Sequence, residues 1–200
     1  KVHKEGADCQ SGNPGGRSFQ VSESCIFEYS PNSPTLVLVG DSHAGALANS
    51  VKSLAKENQL NYAQVTATGC PHLAGVEDGG HTGAGIMGAH CRQRSDTLRR
   101  FLRELSDPII IYNSRLPLFL EMERFDNQEG GVEHGYEAFI SNEESRSERM
   151  LRSQAVVSTL TGWAEDGYRV VIVYPVPEQG FHVKALLHFI SPPITGAEQL

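Results

Sequence analysis

Short apolar segments typical of buried strands alternate along this chain with segments of helical periodicity, and this alternation limits the possible folds more than any other feature. The clearest strand is 35–39, where four aliphatic residues follow a threonine without a polar break. Unbroken runs of this kind are typical of strands covered on both faces. Further strand-like segments occur at 61–66, 109–112 and 169–174, and helical patterns at 47–55, 98–105 and 150–163. The alternation predicts an α/β fold, a three-layer αβα sandwich with a mostly parallel sheet.

The predicted elements divide the chain into a lead-in and one domain. Residues 1–34 contain four glycines and three prolines, which predicts an irregular segment. Residues 35–200 hold every predicted strand and helix, and the 200 residues together have the length of one ordinary domain. Between the elements we expect a glycine-rich loop at 67–91, while 115–147 and the tail after Glu178 fit no period.

Charge and hydropathy exclude two classes of protein. The chain carries 17 Lys and Arg against 24 Asp and Glu, a formal net charge of -7, whereas nucleic-acid binding needs a basic surface. No apolar run approaches the roughly 20 residues that span a bilayer. The first residues show no signal-peptide pattern, so we expect either a cytosolic protein or a piece of a longer precursor.

The four cysteines favour the second of these alternatives. Their spacings of 16, 45 and 21 residues match no CxxC metal or redox motif, and all four lie in stretches rich in glycine, proline and serine. An even number of such cysteines predicts two disulfides in an oxidising compartment, and of the three possible pairings the simplest is Cys9–Cys25 with Cys70–Cys91. The first bridge would pin the lead-in. Four unrelated free thiols in a cytosolic protein are the alternative.

The turn Gly40-Asp41-Ser42-His43 is the sharpest candidate site, because ligands of parallel sheets bind beyond the carboxyl ends of the strands. A serine placed between a buried strand and a helix lies where free backbone N–H groups favour a developing negative charge. Its oxygen can attack a carbonyl, and its own N–H can help to hold the oxyanion. Asp41 or Ser42 serving only as a helix cap is the alternative.

The motif Val39-Gly40-Asp41-Ser42-His43-Ala44 resembles the first block of the SGNH (GDSL-like) esterase and acyltransferase superfamily. It is most similar to the extracytoplasmic SGNH domain fused to membrane acyltransferases of the acyltransferase 3 type, which O-acetylate bacterial surface glycans. Supporting features are Cys25 before the first strand, Thr68-Gly69-Cys70-Pro71 after the second, the further Cys91, and Tyr174-Pro175-Val176-Pro177-Glu178 after the fourth.

The resemblance implies roles for individual residues. Ser42 would be the nucleophile, and the oxyanion hole would consist of the Ser42 N–H, the Gly69 N–H and the Asn113 side chain. Asp41, His43 and Arg115 are possible substrate contacts. Each of three residues also has an ordinary structural alternative. Gly69 would be a turn glycine, Asn113 would cap its own backbone, and Arg115 would be a surface residue.

The sequence departs from the family pattern at the general base. The family has an Asp-x-x-His pair after a fifth strand, but no aspartate follows Asp166, and His182 and His188 lack an acidic partner at that spacing. Asp78-Gly79-Gly80-His81 has the right letters at the wrong place, so we interpret it as a chance match. We expect a C-terminally incomplete SGNH domain lacking its last strand and helix; a degenerate domain that binds without catalysis is the alternative.

The resemblance therefore predicts a serine-dependent O-acyltransferase at the periplasmic or extracytoplasmic face of the cell membrane. It would move an acyl group, expected to be acetyl, from a donor to a glycan hydroxyl, and the donor would arrive through a membrane acyltransferase domain. No metal and no organic cofactor are implied, and these 200 residues alone are expected to be inactive without the base. A secreted carbohydrate esterase and a non-catalytic glycan-binding domain are the alternative functions.

Overall fold

The structure, a computed structural model, describes Cys9 and residues 21–73, 87–121 and 146–175. Its five strands are β1 (Ile26–Phe27), β2 (Thr35–Gly40), β3 (Asn61–Thr66), β4 (Pro108–Asn113) and β5 (Arg169–Ile172). Its α-helices are α1 (Ser42–Ala46), α2 (Ala48–Glu57), α3 (Met87–Glu104), α4 (Leu116–Glu121) and α5 (Arg146–Glu165). Strands and helices thus alternate as the hydrophobic pattern predicts.

The strands form one sheet in the order β1-β3-β2-β4-β5. β2, β3, β4 and β5 run parallel, and β1 pairs with β3 in the antiparallel direction. β2 is the central strand and all six of its residues are buried, as expected for a strand with helices on both faces. In its register Gly40 lies opposite Thr66 of β3 and Asn113 of β4, so three strands end at the same level.

Two hydrophobic clusters cover the two faces of the sheet. On one face Val37, Val39 and Tyr112 pack with side chains of α3 and α5, including Leu98 and Trp163. On the other face the buried residues are Leu36, Leu38, Ala44, Ala48, Val51, Ala55, Tyr62 and Ile111, which come from the sheet and from α1 and α2. The alternation of inward and outward side chains along β2 therefore supplies both cores, and the sandwich has the three layers expected.

Several boundaries differ from the sequence-based prediction. The glycine-rich loop does not extend to 91, because α3 begins at Met87 and contains Cys91. The helical pattern at 47–55 lies in α2, with Leu47 as its N-cap, and the separate short helix α1 precedes it. α4 occupies the start of the segment 115–147 that fitted no period, and β5 ends at Ile172 rather than at 174.

The described part of the lead-in, residues 21–34, contains two short elements that no sequence pattern predicted. It contains a short 3-10 helix at Glu23–Cys25 and the edge strand β1. The buried Asn61 holds the segment that follows, because its side chain accepts from the backbone N–H of Tyr29 and Ser30 and donates to the carbonyls of Ser30 and Ser33. The glycine-rich stretch 74–86 and the tail 176–200, with the predictions that concern them, lie outside the described residues.

Candidate active site

The candidate site lies at the carboxyl edge of the sheet, where β2, β3 and β4 end, and its geometry depends on the close approach of β2 and β4 at Gly40. Gly40 has a φ of 144°, and a Cβ added to it would lie 1.7 Å from the carbonyl oxygen of Asn113. Only glycine fits such a position, since any side chain would overlap the neighbouring backbone. The carbonyl of Gly40 also accepts from the N–H of Ala67, just after β3. Gly40 therefore draws the ends of three parallel strands together directly before Asp41 and Ser42.

Asp41 is the N-cap of α1 and the centre of a hydrogen-bond network. One carboxylate oxygen, Oδ1, accepts from the backbone N–H of His43 at 2.8 Å. The other, Oδ2, accepts from the Ser114 hydroxyl at 2.6 Å and from the backbone N–H of Arg115 at 2.7 Å. The residue is only 6% exposed, so its carboxylate is largely shielded from water. The three protein donors take the place of the water molecules that would solvate an exposed carboxylate. Asp41 is thus a helix cap, and it also joins the turn after β2 to the end of β4.

Ser42 is the first residue of α1 and its side chain is exposed. Among the described residues no group forms a hydrogen bond with its hydroxyl. α1 is only five residues long, so the field at Ser42 comes from the free N–H groups of one short turn rather than from a long helix dipole. The arrangement presents a solvent-accessible hydroxyl at the carboxyl edge of the sheet.

The other two residues of the predicted oxyanion hole lie at the same edge. Asn113 ends β4, is buried, and donates through Nδ2 to the carbonyl of Val173 at 2.9 Å, with a longer contact of 3.5 Å to the carbonyl of Tyr174. Gly69 lies just after β3 with a φ of 69°, a left-handed conformation that glycine adopts without strain. Its turn is closed by the bond from the Cys70 N–H to the Ala67 carbonyl.

The disulfides have the pairing expected from the sequence. Cys9 is bonded to Cys25, and Cys70 is bonded to Cys91. The second bridge joins the loop that carries Gly69 to α3, so the loop is held to the sheet by β3 on one side and to a helix on the other. No cysteine within the described part of the chain is free.

His43 and Arg115, the remaining candidates, both contribute backbone rather than side-chain contacts to the network. Each donates its N–H to Asp41, and each side chain is half-buried. The structure therefore brings both residues to the edge where Ser42 lies. A role of either side chain in substrate contact stays a prediction.

His72 is the most unusual buried group near this edge. It has a φ of 55°, is 1% exposed, and neither ring nitrogen has a hydrogen-bond partner among the described residues. Burial, and to a lesser degree the positive charge of Arg94, lower the pKa of His72 to about 3. The imidazole is therefore neutral at pH 7 but far too weakly basic, and too enclosed, to accept a proton from an exposed serine.

The residues that sequence analysis missed are Tyr112 and Ser114, on either side of Asn113. The Tyr112 hydroxyl donates to the carbonyl of Pro71 at 2.9 Å, and the Ser114 hydroxyl donates to Asp41. Burial raises the pKa of Tyr112; the nearby Ser114 hydroxyl opposes this rise and the charge of Asp41 adds to it. Two hydroxyl groups flanking Asn113 were the available signal, but nothing local shows which loops they reach.

Within the described ranges, no group of three or more His, Cys, Asp and Glu side chains is arranged to hold a metal ion. None of the helices in the described residues is both long enough and apolar enough to cross a bilayer.

Comparison with known proteins identifies the family. A model described as the SGNH domain fused to AT3 domains matches residues 8–198, nearly the whole chain. The chain belongs to this family of SGNH domains, which agrees with the motif around Ser42 and with the sandwich fold. No curated protein matches the chain.

Among solved structures, the chain is similar to the periplasmic domain of the Salmonella ser. Paratyphi A lipopolysaccharide acetyltransferase. The two share 16% sequence identity with a TM-score of 0.48, and the match covers 88% of this chain and 60% of that one. This chain therefore spans less than two thirds of the length of that domain.

Proposed function

We propose that this chain is the extracytoplasmic SGNH domain of a membrane acyltransferase, and that it transfers an acyl group, acetyl in the first instance, to a hydroxyl of a bacterial surface glycan. Membership of a family fused to AT3 domains supports the membrane partner in the same polypeptide. Two disulfides support an oxidising, extracytoplasmic location. The observation that carries the chemistry is the exposed Ser42 hydroxyl at the shared end of β2, β3 and β4.

In the proposed reaction, Ser42 Oγ attacks the carbonyl carbon of the donor's acyl group and its proton passes to a general base. The tetrahedral oxyanion is held by the N–H groups of Ser42 and Gly69 and by Nδ2 of Asn113. Collapse of this adduct expels the donor, which takes the proton from the base, and leaves an ester on Ser42. A glycan hydroxyl then gives its proton to the base and attacks the ester carbonyl, the acyl group moves to the glycan oxygen, and the base returns the proton to Ser42.

Two groups need particular assignment in this scheme. One hydrogen of the Asn113 amide is committed to Val173, so the second, whose contact with Tyr174 is long, is the one proposed for the oxyanion. We place the base on a histidine outside the described residues. His72 is excluded by its burial and its low pKa.

Substitution of the nucleophile tests the proposal on the full-length protein that carries this domain. We expect Ser42→Ala to lower the hydrolysis of 4-nitrophenyl acetate by roughly a thousandfold or more, because the covalent route is lost. Ser53→Ala, in an exposed position on α2, is the matched control and should keep wild-type rates. Mass spectrometry of the wild-type protein after a short reaction should find the acetyl group on the peptide that contains Ser42.

Equal rates for wild type and Ser42→Ala would remove Ser42 from the mechanism. If the acyl-serine forms, the acceptor separates transfer from hydrolysis. We expect added surface glycan to speed breakdown of the acyl-serine and to carry the acetyl group in the product. Breakdown at the same rate with and without glycan would identify a carbohydrate esterase instead.

A further inference from the structure

We propose that Ser114 and Tyr112 are positioning residues for the oxyanion hole, because their buried hydroxyl groups connect the three loops that carry its donors. The inference rests on the proposed function and adds to it two residues that do not touch the reacting atoms. It concerns two hydrogen bonds on either side of Asn113, from Tyr112 to Pro71 and from Ser114 to Asp41.

The link from Ser114 to Asp41 joins the loop of Asn113 to the loop of Ser42. The Ser114 hydroxyl is 1% exposed and donates to Oδ2 of Asp41 over 2.6 Å. Asp41 in turn receives the His43 N–H and so fixes the first turn of α1. Because Asp41 directly precedes Ser42, and Ser114 directly follows Asn113, one short bond sets the distance between two of the proposed oxyanion donors.

The link from Tyr112 to Pro71 brings in the third loop. Tyr112 is fully buried, its hydroxyl donates to the Pro71 carbonyl, and its ring packs edge-to-face against Trp163 with centroids 5.7 Å apart. Pro71 lies two residues after Gly69, beside the disulfide-bonded Cys70. Tyr112 therefore ties the Gly69 loop to the strand that ends at Asn113. Tyr112 and Ser114 lie on either side of Asn113, and each ties this end of β4 to a different loop, Tyr112 to Pro71 and Ser114 to Asp41.

The position of these groups gives them more than a packing role. The backbone ladders of β2, β3 and β4 end at Gly40, Thr66 and Asn113, and beyond them the Ala67 N–H still bonds to the Gly40 carbonyl, so the loops further on need other ties. An oxyanion hole acts through donors that are placed before the reaction, and displacements of about 1 Å can cost about a hundredfold in rate. The network spans the interval between the ends of the ladders and the donors, out of contact with water.

The experiment measures the acylation rate constant and KM of full-length protein with 4-nitrophenyl acetate, for Ser114→Ala and Tyr112→Phe. We expect each variant to lower the acylation rate about tenfold to a hundredfold with KM little changed, because the donors are displaced in the transition state. Ser114→Thr keeps the hydroxyl and should recover most of the rate. The double variant should lose less than the product of the two single losses, since both residues hold the loops around the same donors.

Matched controls remove a buried hydroxyl elsewhere. Tyr62→Phe and Thr159→Val alter buried residues whose hydroxyl groups bond to Gln64 and to the Ala155 carbonyl, and both should keep the wild-type acylation rate. Circular dichroism and titration of reactive serine with a fluorophosphonate give the folded and active fractions for every variant. Tyr112→Phe retains the ring packing, so it provides a folded variant even if Ser114→Ala does not fold.

A wild-type acylation rate per reactive serine in folded Ser114→Ala or Tyr112→Phe would overturn the inference. It would also be overturned if the lower rate of a variant came entirely from a smaller fraction of active protein. If the wild-type protein forms no ester on Ser42, the proposed function itself fails and this inference falls with it. That result is distinguishable, because Ser42→Ala and wild type would then have the same rate.

Discussion

At the scale of single residues, Gly40 sets the tightest limit on the candidate site. We expect Gly40→Ala to lower the free energy of unfolding by about 3 kcal/mol or more, because the new Cβ would overlap the Asn113 carbonyl and lie 2.9 Å from Ala44 Cβ, at a φ that side chains avoid. Gly162→Ala is the matched control. It meets nothing within 4 Å in the interior of α5, so we expect a gain of about 0.5–1 kcal/mol.

Urea denaturation of the two glycine variants and the wild type gives both values. A Gly40→Ala protein within 1 kcal/mol of the wild type would show that β2 and β4 do not approach as closely as described. The comparison is internal, since both substitutions add the same methyl group to the same chain.

The sequence carries part of this residue-scale information. That Ser42, Gly69 and Asn113 lie at one edge follows from the parallel alternation, since each comes just after a predicted strand. The partners of Asp41 could not be predicted, because Ser114 is 73 positions away and only the strand register brings the two together. The roles in catalysis that the family resemblance implies for these residues remain proposals.

At the scale of elements, prediction succeeds where periodicity is strong and fails where tertiary contacts decide. β2 and β4 are largely apolar runs and β3 alternates polar with apolar residues, and the structure confirms all three strands within a residue or two. β1 has only two residues and forms through pairing with β3, so no local sequence pattern predicts it. The first turns of α3 were not predicted, because Gly88 and Cys91 are residues typical of loops. In the structure Cys91 lies in the helix and is bonded to Cys70.

The loop after β3 yields a prediction about pH. The pKa of His72 falls from an ordinary 6.5 to about 3 in the folded protein, so between these values the unfolded chain binds a proton that the folded chain does not. Stability must therefore fall as the pH is lowered from 6.5 toward 3, by up to about 1.4 kcal/mol per pH unit from this group. We expect His72→Asn, which tolerates a left-handed backbone, to flatten the dependence over this range.

Free energies of unfolding from urea titrations at several pH values measure the effect. Gln59→Asn is the control, since Gln59 also has a positive φ, of 58°, but lies exposed and carries no titrating group. It should reproduce the wild-type pH dependence. A His72→Asn protein with that same dependence would contradict the burial of a neutral imidazole.

At the scale of the whole molecule, most of the hydrophobic core lies away from the candidate site. The two cores lie on opposite faces of the sheet, while Ser42 and its proposed partners occupy the edge where β2, β3 and β4 end. The class of fold could be read from alternation alone because both faces need apolar strands. The way in which the loops at this edge are fixed could not be read from the sequence, since it depends on cross-links and hydrogen bonds between residues far apart in the chain.

The two disulfides offer the clearest test of this separation, because they close loops of similar length at different places. They span 16 residues for Cys9–Cys25 and 21 residues for Cys70–Cys91, so the loss of either should cost about 3 kcal/mol through the entropy of the unfolded chain. We expect Cys70→Ser with Cys91→Ser also to lower the acylation rate, since the Gly69 loop loses its tie to α3. Cys9→Ser with Cys25→Ser should lose similar stability and keep the rate. Urea unfolding and the ester assay on both double variants check this, and equal activity losses would show that the second bridge stabilises the fold without organising the site.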